Sequence, residues 1–113
     1  MPRIAVSVEV APVKVTEAAR RLGFHIKTAR KRRRLRQTEL ARKAGITVQT
    51  LRRVESGSLG TGIGAYLAAL WAMGLDSAIG DLASPDQDIE GKTLEAAMRG
   101  KRIRTAKRLD NDF

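Results

Sequence analysis

Four residues stand out for what they could do chemically: Val48, Gln49, Arg52 and Arg53, in the run Thr47-Val48-Gln49-Thr50-Leu51-Arg52-Arg53-Val54-Glu55. Turned at about 100° per residue with Val48 at zero, Arg52 falls at about 40°, Gln49 at about 100° and Arg53 at about 140°. Leu51 and Val54 fall at about 300° and 240°, on the opposite side. One side is thus apolar, and the other offers one methyl-bearing side chain, one amide and two guanidiniums. That set matches the major-groove edges of DNA bases: arginine to guanine, glutamine to adenine, an apolar group to the thymine methyl. The bland alternative is a solvated helix face. Nothing else in the chain competes as chemistry. Cysteine is absent and His25 is alone, so neither a thiolate zinc site nor a nucleophile–base pair can be assembled. The glycines at 57, 60, 62 and 64 follow no strand and lack the lysine of a phosphate loop. No cofactor and no enzymatic activity are expected.

A reading face needs a support. The segment Gln37–Gly57, QTELARKAGITVQTLRRVESG, predicts two short helices joined by a tight turn at Ala44-Gly45-Ile46. Gly45 can take the left-handed backbone that such a turn requires. Ala41 is small where the two helices must approach, and Ile46, Leu51 and Val54 are placed to anchor the second helix on a core. Thr47 is expected to cap that second helix.

The charge points the same way. Lys and Arg number 22 against 12 Asp and Glu, a net charge of +10 in 113 residues. So large an excess repels itself in a compact chain and is best explained by a polyanionic partner, nucleic acid before an anionic membrane surface. No stretch approaches the ~20 apolar residues of a spanning helix, and a cytoplasmic, non-membrane protein is expected. RNA recognition would want exposed aromatics for stacking, and aromatics make up only 4% of the chain.

Along the chain, Ile4, Val6, Val8 and Val10 alternate as in a strand, which either pairs with a partner or is a disordered arm. A first helix is expected from a cap at Thr16 to about Arg33, with Val15, Ala18, Ala19, Leu22, Ile26 and Ala29 on its apolar side. Helices at Gln37–Ala44, Thr47–Glu55, Gly62–Met73 and Ser77–Leu82 follow. A small helix at Lys92–Arg99 and a basic tail complete the chain. The expected parts are an arm over 1–14, a folded domain over 15–83 and a basic tail over 84–113. The run Arg30–Arg36 has six cations in seven residues and reads either as a solvated helix end or as phosphate contacts. The cluster Arg99–Arg108 reads as an added DNA contact, a partner-binding tail or a solubilising end.

The motif Gln-x-x-Leu-Ala-x-x-x-Gly-Ile at Gln37–Ile46 resembles the helix-turn-helix of the Cro and phage-repressor family, over about Leu22–Leu82. The resemblance implies an all-α, five-helix, lambda-repressor-like domain whose third helix enters the major groove. It implies base contacts from Thr47, Val48, Gln49 and Arg53, to which the helical angle adds Arg52. It implies a phosphate contact from Gln37; Arg30, Arg32, Arg33, Arg34, Arg36, Lys43 and Thr50 are further expected phosphate contacts. Arg30 and Glu55 match a bracing pair between the first and third helices. Arg34 stands where glycine is usual, implying an extended or strained helix end. Arg36 stands where a capping Ser, Thr or Asn is usual, at a cost of about 1 kcal/mol.

A narrower resemblance, to HipB-type antitoxins encoded beside HipA-type kinases, rests on SLGTGIGAYLAALWAMGLDSAIGDL, Asp88-x-x-Gly91, Lys101-Arg102-Ile103-Arg104 and the Leu-Asp-Asn-Asp-Phe end. It implies a transcriptional repressor that binds a double-stranded operator as a homodimer and restrains a HipA-like kinase toxin. The alternative is a stand-alone repressor without a toxin partner. In this reading the Ile4–Val10 strand, with part of Leu67, Leu70, Trp71, Leu75 and Ile79, serves the dimer. The tail, with Phe113 as an anchor, serves the kinase.

Overall fold

A computed structural model describes residues 11–111, with side chains through residue 107; the expected strand at Ile4–Val10 and the anchor Phe113 lie outside these residues. The described residues form helices only: α1 (Val13–Arg32), α2 (Gln37–Ala44), α3 (Val48–Glu55), α4 (Ile63–Ala72), α5 (Ser77–Gly80) and α6 (Ile89–Asn111). The chain divides into two compact units, one up to Ile79 and one from Gly80 onward. Among the described residues no helix is long and apolar enough to cross a membrane.

Helix α1 begins earlier than its sequence suggests. Pro12 stands just outside it, and the Pro12 carbonyl accepts from the Val15 and Thr16 amides at 3.0 and 3.2 Å. Proline has φ preset and no amide to satisfy, so it suits a helix entrance. Thr16 therefore lies within the first turn and is not the cap.

The core of the first unit is small and aliphatic. Ile26 of α1, Leu40 of α2, and Leu51 and Val54 of α3 are fully buried, each contributing about 1.5–3 kcal/mol by leaving water. Ala41, Tyr66, Ala69, Leu70 and Met73 complete it, with Leu75 and Ile79 packed partly against it. Only the second half of the expected apolar stripe on α1 reaches this core; Val15 and Leu22 remain about two-fifths exposed. The Tyr66 hydroxyl donates to the Ser58 carbonyl at 2.7 Å, tying the loop after α3 to α4. Burial pushes the Tyr66 phenol above its usual pKa.

Four helices end with the same pair of backbone bonds. After α2, Ile46 N donates to Ala41 O and Gly45 N to Arg42 O; the same pattern recurs after α1, α3 and α4. This closure requires a left-handed residue just past the helix. Glycine fills it after α2, α3 and α4, at φ 71°, 76° and 73°. After α1 it is Arg34, at φ 53°.

Glycine has a second use where α1 crosses the end of α3. A Cβ on Gly23 would stand 2.5 Å from Val54 O, 2.7 Å from Gly57 N and 2.8 Å from Glu55 O. One on Gly57 would stand 2.6 Å from the Arg20 Cα. The two backbones meet with no room for side chains.

Two expectations for the C-terminal third are corrected. Helix α5 ends at Gly80 rather than Leu82; turns follow, with Ala83 itself left-handed at φ 56°. The region from 89 is not a tail with a small helix over Lys92–Arg99 but one helix of 23 residues. Asp88 accepts from the Gly91 amide at 2.9 Å and so caps its entrance. Beyond it the sequence is rich in Glu, Leu, Ala, Met, Lys and Arg with no proline. Strong helix formers can hold a polar stretch helical even where no apolar stripe marks it.

Candidate nucleic-acid interface

Helix α3 is held at both ends and along one side. Thr47 Oγ1 accepts from the Thr50 amide at 3.1 Å, capping the helix, and its hydroxyl donates to Thr50 Oγ1 at 2.9 Å. The Thr50 hydroxyl keeps its own hydrogen for an outside acceptor. Leu51, Val54 and Glu55 are buried; Thr47, Gln49, Arg52 and Arg53 are exposed. Val48 is half-buried and packs against the core, so only part of it faces outward.

Glu55 is the hub of the network behind this face. Its Oε2 accepts from Arg30 Nε at 2.6 Å, and its Oε1 accepts from Arg30 Nη2 and from Gln37 Nε2, both at 3.0 Å. Arg30 Nη1 donates to the Leu35 carbonyl at 2.9 Å. Arg52 Nε donates to Gln37 Oε1 at 3.4 Å. A chain of contacts thus runs from α1 through the end of α3 to the start of α2 and back to the outward face of α3. The fork-to-fork geometry of Arg30 and Glu55 gives two parallel charge-assisted bonds, which fix orientation as well as distance. No buried side-chain polar atom among the described residues lacks a partner.

Arg30 is therefore committed inward: it is 8% exposed and its guanidinium is used on Glu55 and Leu35. Its place is behind the basic surface, bracing it. Arg32, Arg33, Arg34, Arg36 and Lys43 are exposed, and Arg33 Nη1 donates back to the Ala29 carbonyl at 3.1 Å. Gln37 is half-buried; one amide hydrogen is spent on Glu55 and the other is left for a ligand. Arg36 has no acceptor to cap α2, but its own amide donates to Glu39 Oε1 at 3.1 Å, so Glu39 supplies one half of a capping box.

Two features go beyond what the sequence predicts. Gln37 as a bridge between Glu55 and Arg52 depends on three segments meeting, which no local pattern encodes. Gly23 does leave a signal, since a glycine inside a helix costs about 1 kcal/mol against alanine and asks for a packing reason. Among the described residues no group of His, Asp and Glu is arranged to hold a metal ion.

Comparison with known families gives one match: a helix-turn-helix family model covers residues 26–64, from the middle of α1 to the start of α4. The match contains the whole bracing network and the whole of α2 and α3. The match spans less than half of the chain and is a likeness to a family of DNA-binding regulators. No curated protein and no solved structure was found to match.

Proposed function

We propose that this protein is a sequence-specific repressor that lays α3 in the major groove of a double-stranded operator. The observation that carries this is the exposed set Gln49, Arg52 and Arg53 on a capped helix whose inner side is fixed by Arg30, Glu55 and Gln37. A reading face must be rigid before it meets DNA, because each immobilised side chain otherwise weakens binding. Thr47 and the exposed part of Val48 stand at the start of α3, the end that enters the groove in this motif. Each good bidentate contact discriminates by about 1–3 kcal/mol.

Arg32, Arg33, Arg34, Arg36, Lys43, Gln37 and Thr50 are the phosphate contacts in this reading; Arg30 is left out because its guanidinium is spent internally. Phosphate contacts supply affinity and register but do not report sequence. One short helix covers few base pairs, so the reading includes a homodimer on two half-sites about one helical turn apart. Trp71, at 62% exposed, is the apolar surface residue that supports it. Leu70 serves the core instead, and Leu75 and Ile79 are partly taken up by it.

At its finest the reading is an antitoxin, a repressor that also holds a HipA-like kinase toxin. The sequence from Ser58 to Leu82 and the Asp88-x-x-Gly91 cap support this by resemblance. The first test is selection from a random duplex pool with the full chain. Enrichment of a two-fold symmetric sequence is expected; recovery of an unenriched pool would reject sequence reading. Co-purification of a HipA-like kinase with this chain tests the antitoxin role, and failure to co-purify would leave a stand-alone repressor.

A further inference from the structure

The proposed reading leaves α6 without a task. From Arg99 to Arg108 this helix carries six cations, and no acid stands between Glu95 and Asp110. With Arg99 at zero, Lys107, Arg104, Lys101 and Arg102 fall at about 80°, 140°, 200° and 300° around the helix. All five are exposed. Arg99 approaches Glu95 at 3.6 Å, whereas Lys101, Arg102, Arg104 and Lys107 pair with no acid among the described residues. The cations therefore surround the helix. Lys101 and Arg104, and Arg104 and Lys107, also repel at three-residue spacing, which weakens an isolated helix.

The apolar residues of α6 give no comparable face. Leu94 and Met98 are about 40° apart, but Ile103 lies about 140° beyond Met98. A helix that docks in a protein groove, or pairs with its own copy, needs an unbroken stripe at such positions. A helix bearing positive charge on all sides suits a ligand that presents negative charge on both flanks. A duplex groove does this: its major groove is wide enough for an α-helix and is walled by phosphates. The ten residues from 99 to 108 rise about 15 Å, alongside about nine phosphate charges.

We infer that residues 99–107 of α6 are a second DNA contact, lying along the duplex between phosphates and adding affinity without sequence reading. This rests on the DNA-binding reading above. Phosphates relieve the repulsion between the cations, so DNA also increases the helicity of α6.

The test uses the full chain and a variant carrying Lys101→Gln, Arg102→Gln, Arg104→Gln and Lys107→Gln; glutamine keeps the helix propensity. Affinity for a selected duplex and for a scrambled one is measured by fluorescence anisotropy across a salt series. The slope of log K against log salt is expected to fall by about 3.6 in magnitude. From about 50 to 200 mM salt the wild type then loses roughly 100-fold more affinity than the variant. Both duplexes weaken by the same factor, leaving their ratio unchanged. The far-UV helix signal is expected to rise when scrambled duplex is added to the wild type but not to the variant. A chain ended after Gly100, which also lacks Arg108, is expected to lower the slope at least as much, without depending on a folded variant helix.

Equal slopes in wild type and both variants would overturn the inference while leaving the α3 reading intact. A change in the selected-to-scrambled ratio would overturn the sequence-independent role. Loss of binding to a purified HipA-like kinase with unchanged DNA slopes would assign α6 to a protein partner instead. Failure of the wild type to bind any duplex would sink both readings together.

Discussion

Glu55 is buried because three donors from two other segments converge on it, Nε and Nη2 of Arg30 and Nε2 of Gln37. Removing one member of such a pair leaves the other charge buried and unpaired, typically at about 3–5 kcal/mol. Glu55→Ala is expected to lower unfolding stability in urea by that amount. The double change Arg30→Met with Glu55→Leu should recover a large part of it; equal loss in both variants would show that the pair fixes the fold by more than charge balance. Gly23 makes a different demand. Its Cβ position lies against three backbone atoms, Val54 O, Gly57 N and Glu55 O, which cannot swing aside as a side chain can. Gly23→Ala should therefore destabilise by roughly 1–3 kcal/mol, despite alanine being the better helix former. A gain in thermal stability would contradict the close crossing of α1 and α3. Residue types on the outward side of α3 were legible from helical angle alone, since Leu51 and Val54 define the inward side. Val48 was only partly so, because the angle did not report how far the core extends beneath the first turn.

At the scale of the element, helix ends decide most of the local geometry. Glycine marks three of the four identical closures and was readable at Gly45 as a stop. The fourth falls on Arg34, whose left-handed backbone costs a non-glycine residue about 1 kcal/mol. Arg34→Gly is expected to raise unfolding stability by up to about 1 kcal/mol, less what glycine adds to the entropy of the unfolded chain. The same change should weaken DNA binding by removing an exposed cation. Unchanged DNA affinity would mean that the departure from glycine at this closure has no role at the interface. The start of α1 and the extent of α6 were not legible for a shared reason. Apolar periodicity is the main mark of a helix in sequence, and both segments are helical where that periodicity fades. Pro12 sets the first and strong intrinsic propensity carries the second.

For the whole molecule, the net charge is +10, and twelve of the 22 Lys and Arg lie in two runs, Arg30–Arg36 at the end of α1 and Arg99–Arg108 in the C-terminal half of α6. Replacing Arg32, Arg33 and Arg34 with Gln should weaken binding to every duplex alike, lowering the salt slope by about 0.9 for each phosphate no longer neutralised. An unchanged slope would place that run away from DNA. Composition alone made a polyanionic partner legible, but it could not separate a supported reading face from a merely solvated one. The support for the proposed reading face is the Arg30–Glu55–Gln37–Arg52 chain, which depends on tertiary placement. The most direct measurement compares Arg53→Ala with the wild type on the selected operator and on a scrambled duplex at one salt concentration. The account predicts a loss of roughly 1–3 kcal/mol on the operator, little change on the scrambled duplex, and relaxed discrimination at one base pair. Equal loss on both duplexes would make Arg53 a phosphate contact and contradict base reading by α3.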